Sequence, residues 1–213
     1  MTATLAPLTL IGRSSSHFTR VTRLFAHELG VPIELVPVRR LLATEPDAFG
    51  GNPALKLPSL RRPDGALLFG TENICRAIAA HAGDPPGLVW PETIADDLVR
   101  NAHELTWHAM AAQVQLIVGT GPGDLPADHR MFVKIRRGLE GALGWLDHHL
   151  ADAQGRLPPA RRLSLLEVAL FCLLEHLVFR PTLPALDYPA LAAFAAGLAA
   201  RPSAQATTFH FDP

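Results

Sequence analysis

The chain has 213 residues, of which 48% are hydrophobic and 18% charged, with a formal net charge of −1. That length supports a sizeable core in one or two domains, and that balance excludes a disordered chain. No basic patch dominates, so nucleic acid is not an expected partner. No basic stretch precedes a long apolar run at the N-terminus, so no signal peptide is expected, and the expected location is the cytoplasm. Cys75 and Cys172 lie far apart and form no metal or redox motif, which fits a reducing compartment.

Leu8-Thr9-Leu10-Ile11-Gly12 reads as a buried strand ended by glycine. Arg13 to His17 is polar and small, a loop. From Phe18 the period changes: Phe18, Val21, Leu24, Phe25 and Leu29 mark one face of a helix. Gly30 caps its C-terminus and Pro32 follows. Ile33 to Val38 alternates as a second strand, and Arg39 to Gly51 is mixed helix or loop. A third strand starts within Leu57 to Leu60. Pro63-Asp64-Gly65 turns into a fourth, Ala66 to Phe69. Thr71 is expected to cap a helix whose apolar face is Ile74, Ala77 and Ile78.

The breaker-rich residues His81 to Gly87 read as a linker. The remainder is expected to be helical. One long helix falls within Thr93 to Val118, and a second runs from about Ala127 to Leu150. The most apolar helix spans Leu165 to Phe179; with Glu175 and His176 inside it, it reads as buried core and not as a membrane span. Ser164-Leu165-Leu166-Glu167 fits a capping box at its start. The expected domains are 1–81, a linker at 82–92, and 93–213.

The chain is organised around Asn52-Pro53-Ala54-Leu55-Lys56-Leu57-Pro58-Ser59-Leu60. Proline cannot donate to a sheet ladder, so Pro58 belongs at a strand start or edge. A cis Leu57–Pro58 bond would turn the backbone N–H and C=O of Leu57 out of the sheet, where a peptide-like ligand pairs as an added strand. The order β-α-β, crossover, β-β-α is a thioredoxin-like arrangement. With that layout, this stretch resembles the Asn-Pro-x-Gly-Lys-Val-Pro-x-Leu element of the glutathione S-transferases, which carries their cis-proline. Leu55 stands for the glycine and Leu57 for the valine. Leu68, Thr71, Ile74 and Ile78 resemble that family's Leu-x-Glu-Ser-x-Ala-Ile opening, with Gly70 where the acid should be. Tyr188 to Ser203 resembles its last helix and Arg-Pro ending.

The resemblance implies a thioredoxin-like α/β domain, with cis-Pro58, followed by an all-helical domain. It implies glutathione as cosubstrate, a small hydrophobic electrophile as second substrate, and a homodimer. No metal is expected, because His103 and His108 lack a third ligand at metal spacing. Ser16 is the residue expected to meet the thiolate, with Ser14 and Ser15 beside it as alternatives. A helix N-terminus favours an anion there, and serine is also a favoured N-cap. Leu57 and Pro58 are expected to line the tripeptide. Thr71 and the backbone of Glu72 take its γ-glutamyl carboxylate, Lys56 meets the glycine carboxylate, and Arg20 braces the loop or meets a glutathione carboxylate. His103, Trp107 and His108 fall where the family lines its electrophile pocket. The departures at Gly70 and Leu55 support an alternative, a non-catalytic transferase-fold binding or interaction module.

Overall fold

The computed structural model describes residues 6–184 and 187–213. The chain divides into two compact units, Met1–Pro86 with Arg201–Pro213, and Gly87–Ala200. This differs from the expected division at the C-terminus, where residues 201–213 join the first unit. The helix ending at Ala199 gives way to a short separate one that packs on the first unit.

The first unit is thioredoxin-like. Its elements are β1 (Leu8–Gly12), α1 (His17–Leu29), β2 (Ile33–Pro37), β3 (Ser59–Arg61), β4 (Leu67–Phe69) and α2 (Thr71–His81). The sheet order is β2-β1-β3-β4, with β1 and β2 parallel and the other pairs antiparallel. Side chains alternate across a strand, so Leu8 and Leu10 face one side of β1 and Ile11 the other. Leu8, Leu10, Val21, Phe25, Leu60, Ile74 and Ile78 are all buried, and α1 packs on α2. Ile11 joins Val38 and Phe49 in a separate cluster, against which Leu55 and Leu57 pack. A 3-10 turn at Pro46–Phe49 supplies Phe49.

Gly30 ends α1 in the left-handed conformation, and its N–H and that of Val31 return to the last turn. The expected cap at Thr71 is corrected: Gly70 occupies the N-cap position with φ +86° and no side-chain bond, and Thr71 is the first helical residue.

The second unit is built from β5 (Leu88–Val89), α3 (Asp97–Thr120), α4 (Arg130–Gly155), β6 (Leu163–Ser164), α5 (Leu165–Phe179) and α6 (Pro189–Ala199). Helix α3 packs on α4 and α5, and α6 on α4 and α5. Within the described residues this unit is not wholly helical, because β5 pairs in parallel with β6. Asp96 caps α3, accepting from Leu98 N and Val99 N, and it pairs with Arg156 at 2.8 Å. The Arg156 hydrogen bond is the main cause that holds the Asp96 carboxyl below the ordinary carboxylate range.

The capping box expected at Ser164 does not form. Ser164 takes the N-cap position without a side-chain bond. Glu167 is drawn instead to Arg161, whose two nitrogens each lie 2.7 Å from its oxygens, and to Gln154. A bidentate guanidinium is a stronger partner for a carboxylate than a backbone N–H. Cys75 and Cys172 are both buried. No helix among the described residues is long and apolar enough to cross a membrane.

The last helix, α7 (Pro202–Ala206), packs on α1 within the first unit. Two side chains of α1 account for this. Glu28 accepts from Ser203 Oγ at 2.5 Å and pairs with Arg201 at 3.4 Å. Arg20, only 1% exposed, donates to Ala204 O at 3.1 Å and to Thr207 Oγ1 at 3.4 Å. Its guanidinium lies 4.4 Å from the centre of the Phe209 ring.

Candidate active site

The site starts where β1 runs into α1. Gly12 is required there by a close approach: a Cβ at this position would lie 2.6 Å from the side chain of Thr19. The Gly12 carbonyl accepts from Val38 N at 2.7 Å, which ties the end of β1 to the segment after β2. Arg13 to Ser16 then forms a tight turn, closed by Ser16 N donating to Arg13 O at 3.1 Å. Arg13 N donates to Thr19 Oγ1 at 3.3 Å, so the first turn of the helix grips the start of the loop.

Ser16 is the N-cap of α1, in extended conformation, and its Oγ accepts from Thr19 N at 3.3 Å. A serine hydroxyl has one hydrogen to donate and two lone pairs. Accepting from Thr19 N therefore leaves its hydrogen available for an anion at the helix start. Capping and anion contact are compatible in one side chain. Ser14 and Ser15 are both buried, at 2% and 7% exposure, whereas Ser16 is partly exposed.

The sheet register brings the Pro58 stretch to the same end. Ser59 stands opposite Ile11, so Pro58 lies beside Gly12 and the loop that follows it. The Leu57–Pro58 bond is cis, as the sequence pattern predicts. Asn52, 4% exposed, fastens this stretch from beneath. Its Nδ2 donates to Lys56 O and its Oδ1 accepts from Ala54 N, both at 2.9 Å. Ser59 Oγ donates to Phe49 O at 2.7 Å. Lys56 itself is exposed. Leu55, in the place of a family glycine, has φ +54°, a left-handed conformation costing an L-residue roughly 1–2 kcal/mol. Its side chain offsets part of that by packing on the Ile11, Val38 and Phe49 cluster.

Thr71, the first residue of α2, is buried at 6% exposure. The opening N–H groups of a helix have no partner within it and favour an anion. Glu72 is engaged along its own helix: Arg76 Nε and Nη2 donate to it at 3.0 and 2.7 Å. Arg20 is a correction. It was expected to brace the loop or meet a ligand carboxylate, but its side chain turns into the core and holds α7, as described above.

In the second unit, His103 and Trp107 come together on α3, and His108 does not join them. Trp107 Nε1 donates to His103 Nε2 at 2.9 Å, and the rings meet edge to face. An indole N–H can only donate, so His103 Nε2 is unprotonated in this arrangement. His103 is buried and Trp107 half-buried, while His108 is exposed. No group of three or more candidate metal ligands occurs among the described residues.

Residues 15–81 match the family model for the glutathione S-transferase N-terminal domain. Over the whole chain, the structure is similar to a glutathione S-transferase from Methylobacillus flagellatus KT, solved with GSH bound. The identity is 25%, the match covers 95% of this chain and 100% of that one, and the TM-score is 0.76. Residues 15–81 are a glutathione S-transferase N-terminal domain.

The fold also matches two more distant transferase structures. One is a glutathione S-transferase from Methylobacterium radiotolerans in complex with glutathione sulfonate, with 24% identity, coverage of 98% and 97%, and a TM-score of 0.75. The other is a glutathione transferase family member from Pseudomonas fluorescens with bound glutathione, with 22% identity, coverage of 95% and 99%, and a TM-score of 0.75. No curated protein sequence matches the chain. Sequence reasoning passed over Asn52 as a side-chain anchor. The Asn-Pro turn was its only signal, and the bond to Lys56 O returns across that turn.

Proposed function

We propose that this protein binds glutathione and transfers its thiolate to a small apolar electrophile. The observation that carries the reading is Ser16, partly exposed at the N-cap of α1 with a hydroxyl hydrogen to donate, inside a glutathione S-transferase N-terminal domain. The thiol of glutathione loses its proton to solvent. The thiolate is held by the Ser16 hydroxyl and the helix N-terminus, both of which favour the anion. It then attacks the electrophilic carbon and forms a C–S bond; at an aryl halide the halide departs with the bond's electron pair, and at an unsaturated carbonyl the C=C π pair moves to an enolate that takes a proton from solvent. The rate gain comes from a larger thiolate fraction and from proximity.

The tripeptide pairs with the backbone of Leu57 beside Pro58. Its γ-glutamyl carboxylate is received by the Thr71 hydroxyl and the backbone N–H groups of Thr71 and Glu72, and its glycine carboxylate by Lys56. The Glu72 carboxylate, committed to Arg76, is left out of this set. On the electrophile side we assign His103 and Trp107 and omit the exposed His108. The activity is tested by following conjugation of glutathione to a panel of aryl halides and unsaturated carbonyl compounds. Rates above the uncatalysed reaction support the reading, and none above it across the panel opposes it.

Gly70 stands where the family carries an acid, and its φ of +86° costs a glycine nothing. A Cβ there would meet no atom within 4 Å. Gly70→Glu is therefore expected to lower stability by about 1–3 kcal/mol through backbone conformation alone, since φ +86° with ψ +136° suits essentially glycine only. The same change places a carboxylate near the ligand ammonium, worth up to about 1 kcal/mol at an exposed position. The expected result is a glutathione dissociation constant about threefold lower, together with a lower melting temperature. Calorimetric titration and a thermal melt measure the two effects, and unchanged or weaker binding would contradict this placement of the γ-glutamyl end.

A further inference from the structure

Three hydrogen bonds of the turn that presents Ser16 bear on its position. Two are local: Ser16 N to Arg13 O, and Arg13 N to Thr19 Oγ1. The third comes from the other end of the chain. Ser14 N donates to Asp212 Oδ2 at 2.9 Å, across 198 residues of sequence. Two further contacts hold the C-terminal segment in the first unit. The Phe209 ring lies over the buried Arg20 guanidinium, and Arg39, just past β2, donates to the backbone oxygen of Pro213.

We propose that Asp212 is a positioning residue of the thiol site. Its carboxylate fixes the Arg13–Ser16 turn through Ser14 N and so sets where the Ser16 hydroxyl points. The inference rests on the thiolate role assigned to Ser16. A charge-assisted bond to a backbone N–H is among the stronger kinds. Neither local bond is made by Ser14 itself, which lies inside the turn two residues from the reacting group. A misplacement of about 1 Å at a reacting centre costs up to about a hundredfold in rate. Arg39 and Phe209 act as anchors that keep Asp212 in place, and they touch no reacting atom.

Two variants test this. Asp212→Ala removes the acceptor, and Asp212→Asn keeps an oxygen that accepts from Ser14 N. For Asp212→Ala the expected result is a kcat about tenfold lower, with KM for glutathione changed less than about twofold and a nearly unchanged melting temperature. Asp212→Asn is expected to recover most of the kcat. Hydrogen exchange at the Ser14 amide, read by NMR with no ligand present, is expected to speed up about tenfold in Asp212→Ala and much less in Asp212→Asn.

Unchanged kcat in Asp212→Ala would overturn the proposal, and so would equal losses in both variants. An increase in activity would overturn it too, since the tail would then be obstructing the site. If the unmodified protein conjugates nothing, it is the transferase reading that has failed. The amide exchange still decides the proposal in that case, because an unchanged Ser14 rate removes the restraint on which it rests.

Discussion

Replacing Arg20 with alanine is expected to cost the fold about 3 kcal/mol, the largest stability loss at any single position considered. Three contributions add up. The Ala204 carbonyl loses its donor, worth roughly 1–3 kcal/mol for a buried group. The contact with Phe209 is lost, worth roughly 0.5–2 kcal/mol. A cavity replaces one of the largest fully buried side chains. Against them stands the cost of burying a guanidinium, which the native protein carries and the variant does not. A chain of this size loses roughly 2–4 °C of melting temperature per kcal/mol, so a fall of about 6–12 °C is expected.

The same change should loosen the C-terminal segment, because Arg20 and Glu28 are the two α1 side chains that hold α7 and Arg20 also holds Thr207 and Phe209. Limited proteolysis is expected to remove that segment from the variant well before it attacks the native protein. Arg20→Lys should rescue little, because an ammonium cannot reproduce the planar fork that reaches Ala204 O and Thr207 together. A melting temperature within 2 °C of the native protein, with an equally resistant C-terminus, would contradict the clamp.

Ser16→Ala is expected to lower kcat/KM for conjugation by about ten- to a hundredfold. A hydrogen bond to a charged group is worth roughly 1.5–3 kcal/mol, and each 1.4 kcal/mol is a factor of ten in rate. The pH at which the rate reaches half its plateau should move up, because the thiolate loses a donor. The loss of the cap on Thr19 N should take a further 1 kcal/mol or so from stability. Ser16→Thr keeps both functions and should retain most activity. The buried Ser14 and Ser15 should tolerate alanine with smaller rate effects. Conjugation within threefold of the native rate in Ser16→Ala, across several electrophiles, would remove Ser16 from the mechanism.

Much of the fold was legible because its signals are local. The strand at Leu8–Gly12 and the helix at Leu165–Phe179 follow from runs of apolar residues with glycine or polar boundaries, and both fall where the pattern puts them. Caps were harder, because a cap is a competition. At Ser164 the box pattern is present, but Arg161 captures the glutamate. At Thr71 the hydroxyl sits one residue inside the helix, because Gly70 takes the positive φ that the strand-to-helix corner needs.

The largest departure lies at Arg20. An arginine on the polar side of a helical pattern reads as a surface or ligand-binding residue. Here it is core, because partners 184 and 187 residues away in sequence meet it. Asp212 was invisible for the same reason: nothing near it in sequence suggests Ser14. The tertiary pairing of the chain's two ends has no local period to read. The loop was readable as a run of three serines; of these, Ser16 is partly exposed and N-caps α1 while Ser14 and Ser15 are buried.

The most direct test of the account is the melting temperature of the native protein with and without glutathione, checked by calorimetric titration. A ligand at about ten times its dissociation constant adds about 1.4 kcal/mol to the native state. The account predicts a rise of about 3–6 °C at millimolar glutathione, growing with the logarithm of concentration, and a measurable heat of binding. No shift up to about 10 mM, with no heat on titration, would contradict it: the fold would then persist here without its cosubstrate.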